Sequence, residues 1–256
     1  MTFRSFSNLM VMTVILCTVV PRSSYGAFDF VNDELNDPVM VDDFSTDLSK
    51  WNVSGEVSIS GGELSVGNPG EASASLKDAY RIPLPEAGDF LIVETTARGR
   101  AYSTGGHGIG LSNDGGAAAA IKDSTGTTYD AYPSAADRAA GDIRTTLTDF
   151  AFGDPDTLRF VYDNRDGTHV VSLYVKKYGE ASYTPLQWTD GGAHDGGLVR
   201  ASNAWSTTDP LTMTYSVLGG TRWLLSDFLR YQTIPEPSSV ILLGIGGLVL
   251  LHRHRR

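Results

Sequence analysis

Residues 157–178 contain two runs rich in β-branched and aromatic side chains, TLRFVYD (Thr157–Asp163) and HVVSLYVKKY (His169–Tyr178). Between them lies the polar segment NRDGT (Asn164–Thr168), in which Asp-Gly is a strong signal for a tight turn. Two strand-forming runs joined by such a turn predict an antiparallel β-hairpin. We therefore expect the middle of the chain to form antiparallel sheet.

Other segments repeat this strand pattern. Leu211–Val217 alternates apolar and polar residues without a break, as expected for a strand with one buried face. A second hairpin is predicted at Val57–Val66, where Gly61 and Gly62 separate two short alternating runs. Because apolar helical periodicity is nearly absent, the pattern favours an all-β antiparallel sandwich. The further expected elements are strands at Phe90–Ala97 and Arg222–Tyr231 and one helical turn at Ser134–Ala140.

Three segments near the two ends of this region carry a more specific pattern: DDFSTDLSKW (Asp42–Trp51), VSISGGEL (Val57–Leu64) and WLLSDFLR (Trp223–Arg230). They resemble the first and last strands of concanavalin A-like, laminin-G-type jelly rolls. The resemblance implies an antiparallel jelly-roll β-sandwich in which Phe44 and Trp51 pack in the core and the last strand lies beside the first. It also implies a tendency towards sugar ligands, but no activity, because this fold hosts binders, enzymes and inert modules.

The C-terminal segment has three parts: IPEP at Ile234–Pro237, an uncharged run at Val240–Leu251 and the basic end HRHRR. As a helix, the uncharged run would span roughly 18 Å at ~1.5 Å per residue, which is less than the ~30 Å hydrocarbon core of a bilayer. This short hydrophobic helix therefore suits transient holding in a membrane. The basic end predicts a cytoplasmic C-terminus. A plain tail anchor is the alternative.

This tail resembles the PEP-CTERM sorting signal of Gram-negative bacteria. The resemblance is carried by the sorting motif Pro235, Glu236 and Pro237, by the glycine-containing apolar run, and by the basic residues Arg253, Arg255 and Arg256. It implies that an exosortase, a membrane cysteine transpeptidase, recognises and cleaves the tail. It further implies delivery outside the inner membrane, in bacteria that make exopolysaccharide.

The N-terminal segment has the features of a secretory signal peptide. Arg4 provides the basic start, Leu9–Val20 is apolar, and small residues precede a cut after Gly26. Signal peptidase is therefore an expected partner, and an uncleaved N-terminal helix is the alternative. The sequence thus divides into a signal peptide at 1–26, a β-sandwich domain at 27–233 and a sorting signal at 234–256.

Composition limits the partners of the exported region. The only cysteine, Cys17, lies in the signal peptide, so disulfides and thiol chemistry are not expected after its removal. Residues 1–26 and 238–256 contain five of the 20 basic residues and none of the 30 acidic ones, which leaves a net charge of −15 for residues 27–237. Nucleic acid is excluded as an expected partner, because binding to phosphates requires Lys and Arg.

The sequence contains no clear catalytic pattern. A glycoside hydrolase needs two carboxylates about 5–10 Å apart, which on one strand means acidic residues at alternate positions. Glu94 lies in a predicted strand without such a partner, and Asp154 and Asp156 fall in a turn. We therefore expect no catalytic residues, with a diverged hydrolase or lyase as one alternative.

Calcium is the metal that the composition favours, since it takes carboxylate and carbonyl oxygens and Asp is abundant. Asp163 and Asp166 lie in half of a calcium-loop pattern, but no glutamate follows at the required distance and a hairpin turn is the favoured explanation. Asp43 and Asp227 form a second candidate if the first and last strands are neighbours. No cofactor other than calcium is expected.

Sugar binding usually needs an aromatic side chain that can stack on a pyranose ring. Trp188 and Trp205 flank the glycine-rich stretch 191–197 and are the candidates for this role. Taken together, the sequence predicts an exported, exosortase-sorted protein of the cell envelope or extracellular matrix, non-catalytic and structural or adhesive. A carbohydrate-binding module for extracellular polysaccharide is the main alternative. The protein would be held by its C-terminal helix until processing and would then reach the surface or the medium.

Overall fold

Two antiparallel sheets pack face to face in the computed structural model. It describes residues 28–67, 70–101, 107–114, 117–122, 129–132, 146–148, 153–164, 170–186, 198–199, 206–217 and 222–235. The predicted signal helix, the helical turn at Ser134–Ala140 and the C-terminal hydrophobic helix lie outside these residues. Within them, no helix is long and apolar enough to cross a membrane.

Strands dominate the described residues, and one 3₁₀ turn lies at Asp78–Tyr80. The strands are, in chain order, β1 (Val39–Asp42), β2 (Trp51–Ser54), β3 (Val57–Ser60), β4 (Glu63–Gly67), β5 (Ala72–Leu76), β6 (Asp89–Ala101), β7 (His107–Ser112), β8 (Ala117–Lys122), β9 (Tyr129–Tyr132), β10 (Thr146–Leu147), β11 (Asp156–Asp163), β12 (Val170–Lys176), β13 (Thr184–Pro185), β14 (Leu198–Val199), β15 (Thr212–Val217), β16 (Arg222–Ser226) and β17 (Leu229–Pro235).

The larger sheet, sheet A, has the strand order β13-β12-β11-β6-β16-β4-β3, with β17 also paired to β6, β1 to β17 and β14 to β12. The smaller sheet, sheet B, has the order β10-β9-β8-β7-β15-β5-β2. Neighbouring strands are antiparallel in both sheets. The predicted all-β antiparallel sandwich is therefore confirmed.

Both predicted hairpins are present. In the first, β11 pairs with β12 from Thr157 opposite Lys176 to Asp163 opposite Val170, and residues 165–169 of its turn lie outside the described part. In the second, β3 pairs with β4, and Gly61 and Gly62 have φ angles of 64° and 81°. Two successive positive φ angles are what a two-residue hairpin turn of the favoured type requires, which explains the Gly-Gly pair.

The predicted strand at Arg222–Tyr231 is wrong in one respect, because the segment forms two strands. β16 ends at Ser226 and β17 begins at Leu229, with a bend at Asp227. The two strands pair with different parts of the long strand β6, which runs from Asp89 to Ala101 and so exceeds the expected length. The polar pair Ser226 and Asp227 interrupts the apolar pattern at this break, and both residue types favour turns.

The main core lies between the sheets. On β15, Met213, Tyr215 and Val217 are buried while the alternating residues are half-buried, as the sequence pattern predicts. Phe44 and Trp51 are also in this core, and the ring centroid of Trp51 lies 5.5 Å from that of Tyr215. Because β1 pairs with β17, the first and last strands are neighbours. The resemblance to jelly rolls implied that Phe44 and Trp51 pack in the core and that the last strand lies beside the first, and both expectations are confirmed.

A second apolar cluster covers the outer face of sheet A. Phe90, Ile92 and Ile234 of this cluster come from β6 and β17. The N-terminal segment 28–35 packs onto them, and the rings of Phe30 and Phe90 meet edge to face with centroids 4.9 Å apart. Sheet A is therefore buried on both faces at this end, whereas its other end, at β3, β4 and β16, presents a groove on its outer face.

Candidate functional site

The groove on the outer face of sheet A has a volume of about 440 Å³. Strands β3, β4 and β16 alternate here between core and surface, so Leu64, Val66 and Leu224 are buried while their neighbours point outward. The outward set lines the groove and consists of Ser58, Ser60, Glu63, Ser65, Trp223 and Leu225. Successive side chains of a strand point to opposite faces of the sheet, which explains why these residues share one face.

Strand register places these side chains beside one another. Ser65 of β4 lies between Ser58 of β3 and Leu225 of β16, which makes a short row across three strands. Trp223 lies opposite Gly67 of β4, which is itself buried. None of the three serine hydroxyls forms a side-chain hydrogen bond with another residue in the part of the chain that the structure describes.

The only charged side chain that lines the groove in the described residues is Glu63, which is ion-paired with Arg98 of β6. Both side chains are partly buried, at 23% and 30% exposure respectively. The buried Nε of Arg98 has no hydrogen-bond partner among the described residues. Arg98 lies opposite Leu225 in the register, so the ion pair borders the groove and fixes the carboxylate.

Chemically, this arrangement suits binding better than bond cleavage. Acid–base catalysis on a glycoside needs two carboxylates, one of them able to hold a proton. The groove has one carboxylate in its described lining, and that carboxylate is ion-paired with Arg98. An indole face, hydroxyl groups and one fixed carboxylate are instead the mixture of apolar and polar groups that small-ligand sites use.

The strand carboxylate singled out in the sequence, Glu94, lies elsewhere in sheet A. It is fully buried on the outer face of β6, between Arg159 of β11 and Arg230 of β17 in the register. Its Oε1 accepts hydrogen bonds from Arg159 Nε at 2.8 Å and from the Tyr183 hydroxyl at 2.7 Å. Its Oε2 accepts from Arg230 Nη2 at 2.7 Å. Both oxygens are therefore engaged.

Arg159 also ties the N-terminal segment to the sheet. Its Nη1 donates to the Phe30 carbonyl at 2.6 Å and its Nη2 to the Asp33 carbonyl at 2.8 Å. The guanidinium stacks over the Tyr183 ring, 3.7 Å from the centroid. A buried arginine that satisfies a carboxylate, two carbonyls and an aromatic face is a structural centre, and we assign Glu94 to it rather than to catalysis.

The Glu94 network makes stability dependent on pH. Burial by itself would raise the pKa of Glu94, but Arg159, the Tyr183 hydroxyl and Arg230 together hold that pKa below its usual value. A carboxyl group with a lowered folded-state pKa stabilises the fold above its unfolded pKa and loses that contribution as the pH falls through the folded value. We therefore expect a loss of stability below about pH 4, measured by thermal melts between neutral pH and about pH 3.

The comparison variant for this pH effect is Glu94→Gln. This substitution removes the titrating group, so the stability difference between wild type and variant should shrink as the pH falls. If the stability difference between wild type and Glu94→Gln stays constant over the same pH range, the pH effect does not come from Glu94.

The candidate calcium residue Asp43 and its neighbour Asp42 both accept hydrogen bonds from nearby residues. Asp42, beside the candidate Asp43, accepts hydrogen bonds from Phe44 N at 2.9 Å and from Trp51 Nε1 at 2.8 Å. Asp43 accepts from the backbone and the hydroxyl of Ser45, which lowers its pKa.

The remaining candidates are incompletely placed. Asp227 follows β16, Asp163 ends β11, and Asp166 lies outside the described residues. Within the described ranges, no group of three or more His, Cys, Asp or Glu side chains is arranged to hold a metal ion. Calcium binding by these residues stays a prediction.

Two further sets of predicted residues lie outside the described part: the stacking candidates Trp188 and Trp205, and the tail from Glu236 onward, with Pro237, Arg253, Arg255 and Arg256.

Pro235 is described and ends β17 opposite Asp89. Ile234 before it is 2% exposed in the outer cluster. The last strand therefore runs past the expected boundary at residue 233 and into the tail segment.

Comparison with known proteins gives one family match, at the C-terminal end of the chain. Residues 233–256 match the family model of the PEP-CTERM protein-sorting motif. No curated protein matches the sequence. The endo-1,3-beta-glucanase from Streptomyces sioyaensis has a similar structure, with a TM-score of 0.50 at 10% identity over 70% of this chain and 79% of that one.

Two sugar-binding proteins have related structures. The metal-free carbohydrate recognition domain of Emp46p gives a TM-score of 0.47 at 17% identity, covering 72% of this chain and 88% of that one. The lectin from Bauhinia forficata in complex with GalNAc gives 0.46 at 11% identity, covering 78% and 100%. At such identities the likeness concerns the fold alone.

The architecture and the motif together define the class of protein. The described residues form a jelly-roll sandwich of the concanavalin A-like kind. The chain is an exported protein that carries a PEP-CTERM sorting motif at residues 233–256, and this motif indicates exosortase-dependent delivery to the cell surface.

Proposed function

We propose that this protein is a non-catalytic structural or adhesive component of the bacterial cell envelope or extracellular matrix. The observation that carries the proposal is the direct junction between the jelly roll and the sorting motif. The motif begins at residue 233, whereas β17 continues to Pro235. No separate linker or further domain lies between them, so the jelly roll itself is the cargo that sorting delivers.

The two glutamates of the described strands are both engaged, which supports a non-catalytic role. Glu94 is fully engaged with two arginines and a tyrosine, and Glu63 is paired with Arg98. In sheet B, strands β2, β5, β7, β8 and β15 contain no Asp or Glu, and β9 contains Asp130. A glycoside hydrolase needs two carboxylates at its site, and these two glutamates are held by other side chains.

In this proposal, the two terminal segments handle the domain during export. Signal peptidase removes residues 1–26, and the uncharged run at 240–251 holds the chain transiently in the inner membrane. The exosortase then acts near Pro235–Pro237 and releases the domain to the surface or the medium. The short hydrophobic length supports a transient rather than a lasting association.

Carbohydrate binding is the second candidate function, and the Trp223 groove favours it. The groove combines an aromatic side chain with serine hydroxyls on the outer face of sheet A. Binding of polysaccharide would give an exported, non-catalytic domain its adhesive role. The two functions are compatible, because sorting determines the location and the groove determines the ligand.

The sorting proposal predicts that Pro235→Ala combined with Pro237→Ala abolishes tail processing and surface delivery. Both prolines hold the motif extended and restrict the residues before them, so their loss removes the conformation that an enzyme groove would select. Immunoblots of membrane, surface and medium fractions measure the effect. The double variant should accumulate in the membrane fraction at full length.

The chain offers a matched control, because Pro83 and Pro85 have the same Pro-x-Pro spacing outside the tail. Pro83→Ala combined with Pro85→Ala should leave processing and delivery as in the wild type. Unchanged processing in the Pro235 and Pro237 variant would contradict the proposal. Thermal melts of both variants separate a sorting defect from a folding defect.

A further inference from the structure

We infer that the groove at Trp223 is a binding site for a neutral polysaccharide chain. The inference rests on the proposed function, since it identifies the ligand through which an exported domain would adhere. The groove lies on the outer face of sheet A, where β3 is the edge strand. A polymer can therefore enter at the edge and continue beyond it.

A large aromatic side chain lines the groove. Trp223 is partly buried and lies on the outer face of β16, opposite the buried Gly67 of β4. A flat apolar surface of this kind can cover the C–H face of a sugar ring while the indole N–H stays available to a polar group.

Polar groups surround that ring in the groove. A serine hydroxyl can both donate and accept a hydrogen bond, which matches the hydroxyl groups of a sugar. Ser58, Ser60 and Ser65 line the groove, and their hydroxyls have no side-chain partner among the described residues. Glu63, held by Arg98, adds a fixed carboxylate that can accept hydrogen bonds from sugar hydroxyls.

The size and charge of the groove suit an uncharged ligand. At about 440 Å³, the groove falls within the roughly 300–1,000 Å³ that small-ligand sites occupy. Glu63 and Arg98 form an ion pair, so their charges offset each other at the groove. The exported region carries a large excess of acidic residues, which opposes an anionic ligand. The chemistry therefore selects a neutral glycan and rejects uronic acid or sulfated chains.

Binding assays on the full-length protein purified in detergent test this inference. The probes are hexasaccharides of β-1,3-glucan, β-1,4-glucan and β-1,4-mannan, with an oligogalacturonate as the anionic probe, and titration calorimetry gives Kd. The wild type should bind at least one neutral probe and should not bind the anionic one. Trp223→Ala should weaken that binding about tenfold or more, because the central aromatic contact is lost.

Two further variants keep the test decisive. Tyr178→Ala is the matched control, because Tyr178 is an exposed aromatic residue outside the groove, and its loss should leave Kd unchanged. Ser58→Ala combined with Ser65→Ala should weaken binding without removing the aromatic surface, which covers the case in which Trp223→Ala fails to fold. Tail processing should be normal in every groove variant, so failure of the binding site and failure of the sorting proposal are distinguishable.

The inference is overturned if the wild type binds none of the neutral probes or binds only the anionic one. It is equally overturned if Trp223→Ala and the double serine variant both bind as the wild type does, because the sugar would then occupy another surface. Capture of an extended peptide at the edge strand β3 in place of the glycans would also count against it.

Discussion

Replacing Arg159 by methionine is expected to lower the free energy of unfolding by about 3–5 kcal/mol, because it breaks the buried ion pair with Glu94 and leaves two backbone carbonyls without their donor. The guanidinium is fully buried and satisfies Glu94 and the carbonyls of Phe30 and Asp33. Methionine fills part of the same space but donates no hydrogen bond. Denaturant unfolding of the wild type and the variant measures the difference.

The matched control is Arg230→Met. Arg230 binds the other oxygen of Glu94, but its side chain is 26% exposed and it has no role in holding the N-terminal segment. Solvent can therefore compensate part of its loss, and Arg230→Met should destabilise the protein clearly less than Arg159→Met does. Limited proteolysis should cleave near residues 28–35 in the Arg159 variant only. Equal losses in the two variants would contradict the account of this network.

Replacing Phe44 by alanine is expected to cost about 3–5 kcal/mol of unfolding free energy, the usual range for a fully buried phenylalanine. Phe44 is fully buried between the sheets, with its ring centroid 5.8 Å from that of Trp51 and 6.3 Å from that of Tyr215. Removing the ring leaves a cavity beside the aromatic cluster that anchors β2 to β15. Thermal and denaturant unfolding should both report the loss.

Because the φ angle of Phe44 is positive, comparing Phe44→Gly with Phe44→Ala separates the loss of the ring from the strain of the backbone. Its φ angle is 51°, in the left-handed region, where a side chain costs about 1–2 kcal/mol and glycine costs nothing. Asp42 enforces this conformation by accepting a hydrogen bond from the Phe44 N–H. Phe44→Gly should therefore be less destabilising than Phe44→Ala by about 1 kcal/mol. The opposite order would show that the turn relaxes when the ring is removed.

Much of the fold is predictable from the sequence, because the local patterns of apolar and turn residues agree with the burial that the structure shows. The alternation at Leu211–Val217 and the Gly-Gly turn at Gly61 each determine an element without help from distant residues. The resemblance at Asp42–Trp51 adds the long-range information that the first and last strands are neighbours. These features define which residues face the core, and the structure agrees with them.

The network around Glu94 was not predictable in the same way. Its two arginines lie far away in the sequence and meet Glu94 only through the strand register. A single acidic residue in an apolar strand gives no indication of such partners. Its burial could be anticipated from the surrounding apolar pattern, but its role depends on the topology.

The groove was missed for a related reason. Trp223 lies in the continuous apolar run of β16, which gives no sign of which residues face outward. The serines at alternate positions of β3 and β4 were a usable signal, since they mark the outer face of that hairpin. Only the pairing of β16 with β4 brings the tryptophan to the same face.

The measurement that tests the central claim most directly is the intact mass of the protein recovered from the cell surface and the medium. An exported domain released by an exosortase should begin at Ala27 and end near Pro235–Pro237, without the uncharged run 240–251 and the basic end. Recovery of surface protein that retains the complete tail, or of protein found only in the membrane at full length, would contradict the account.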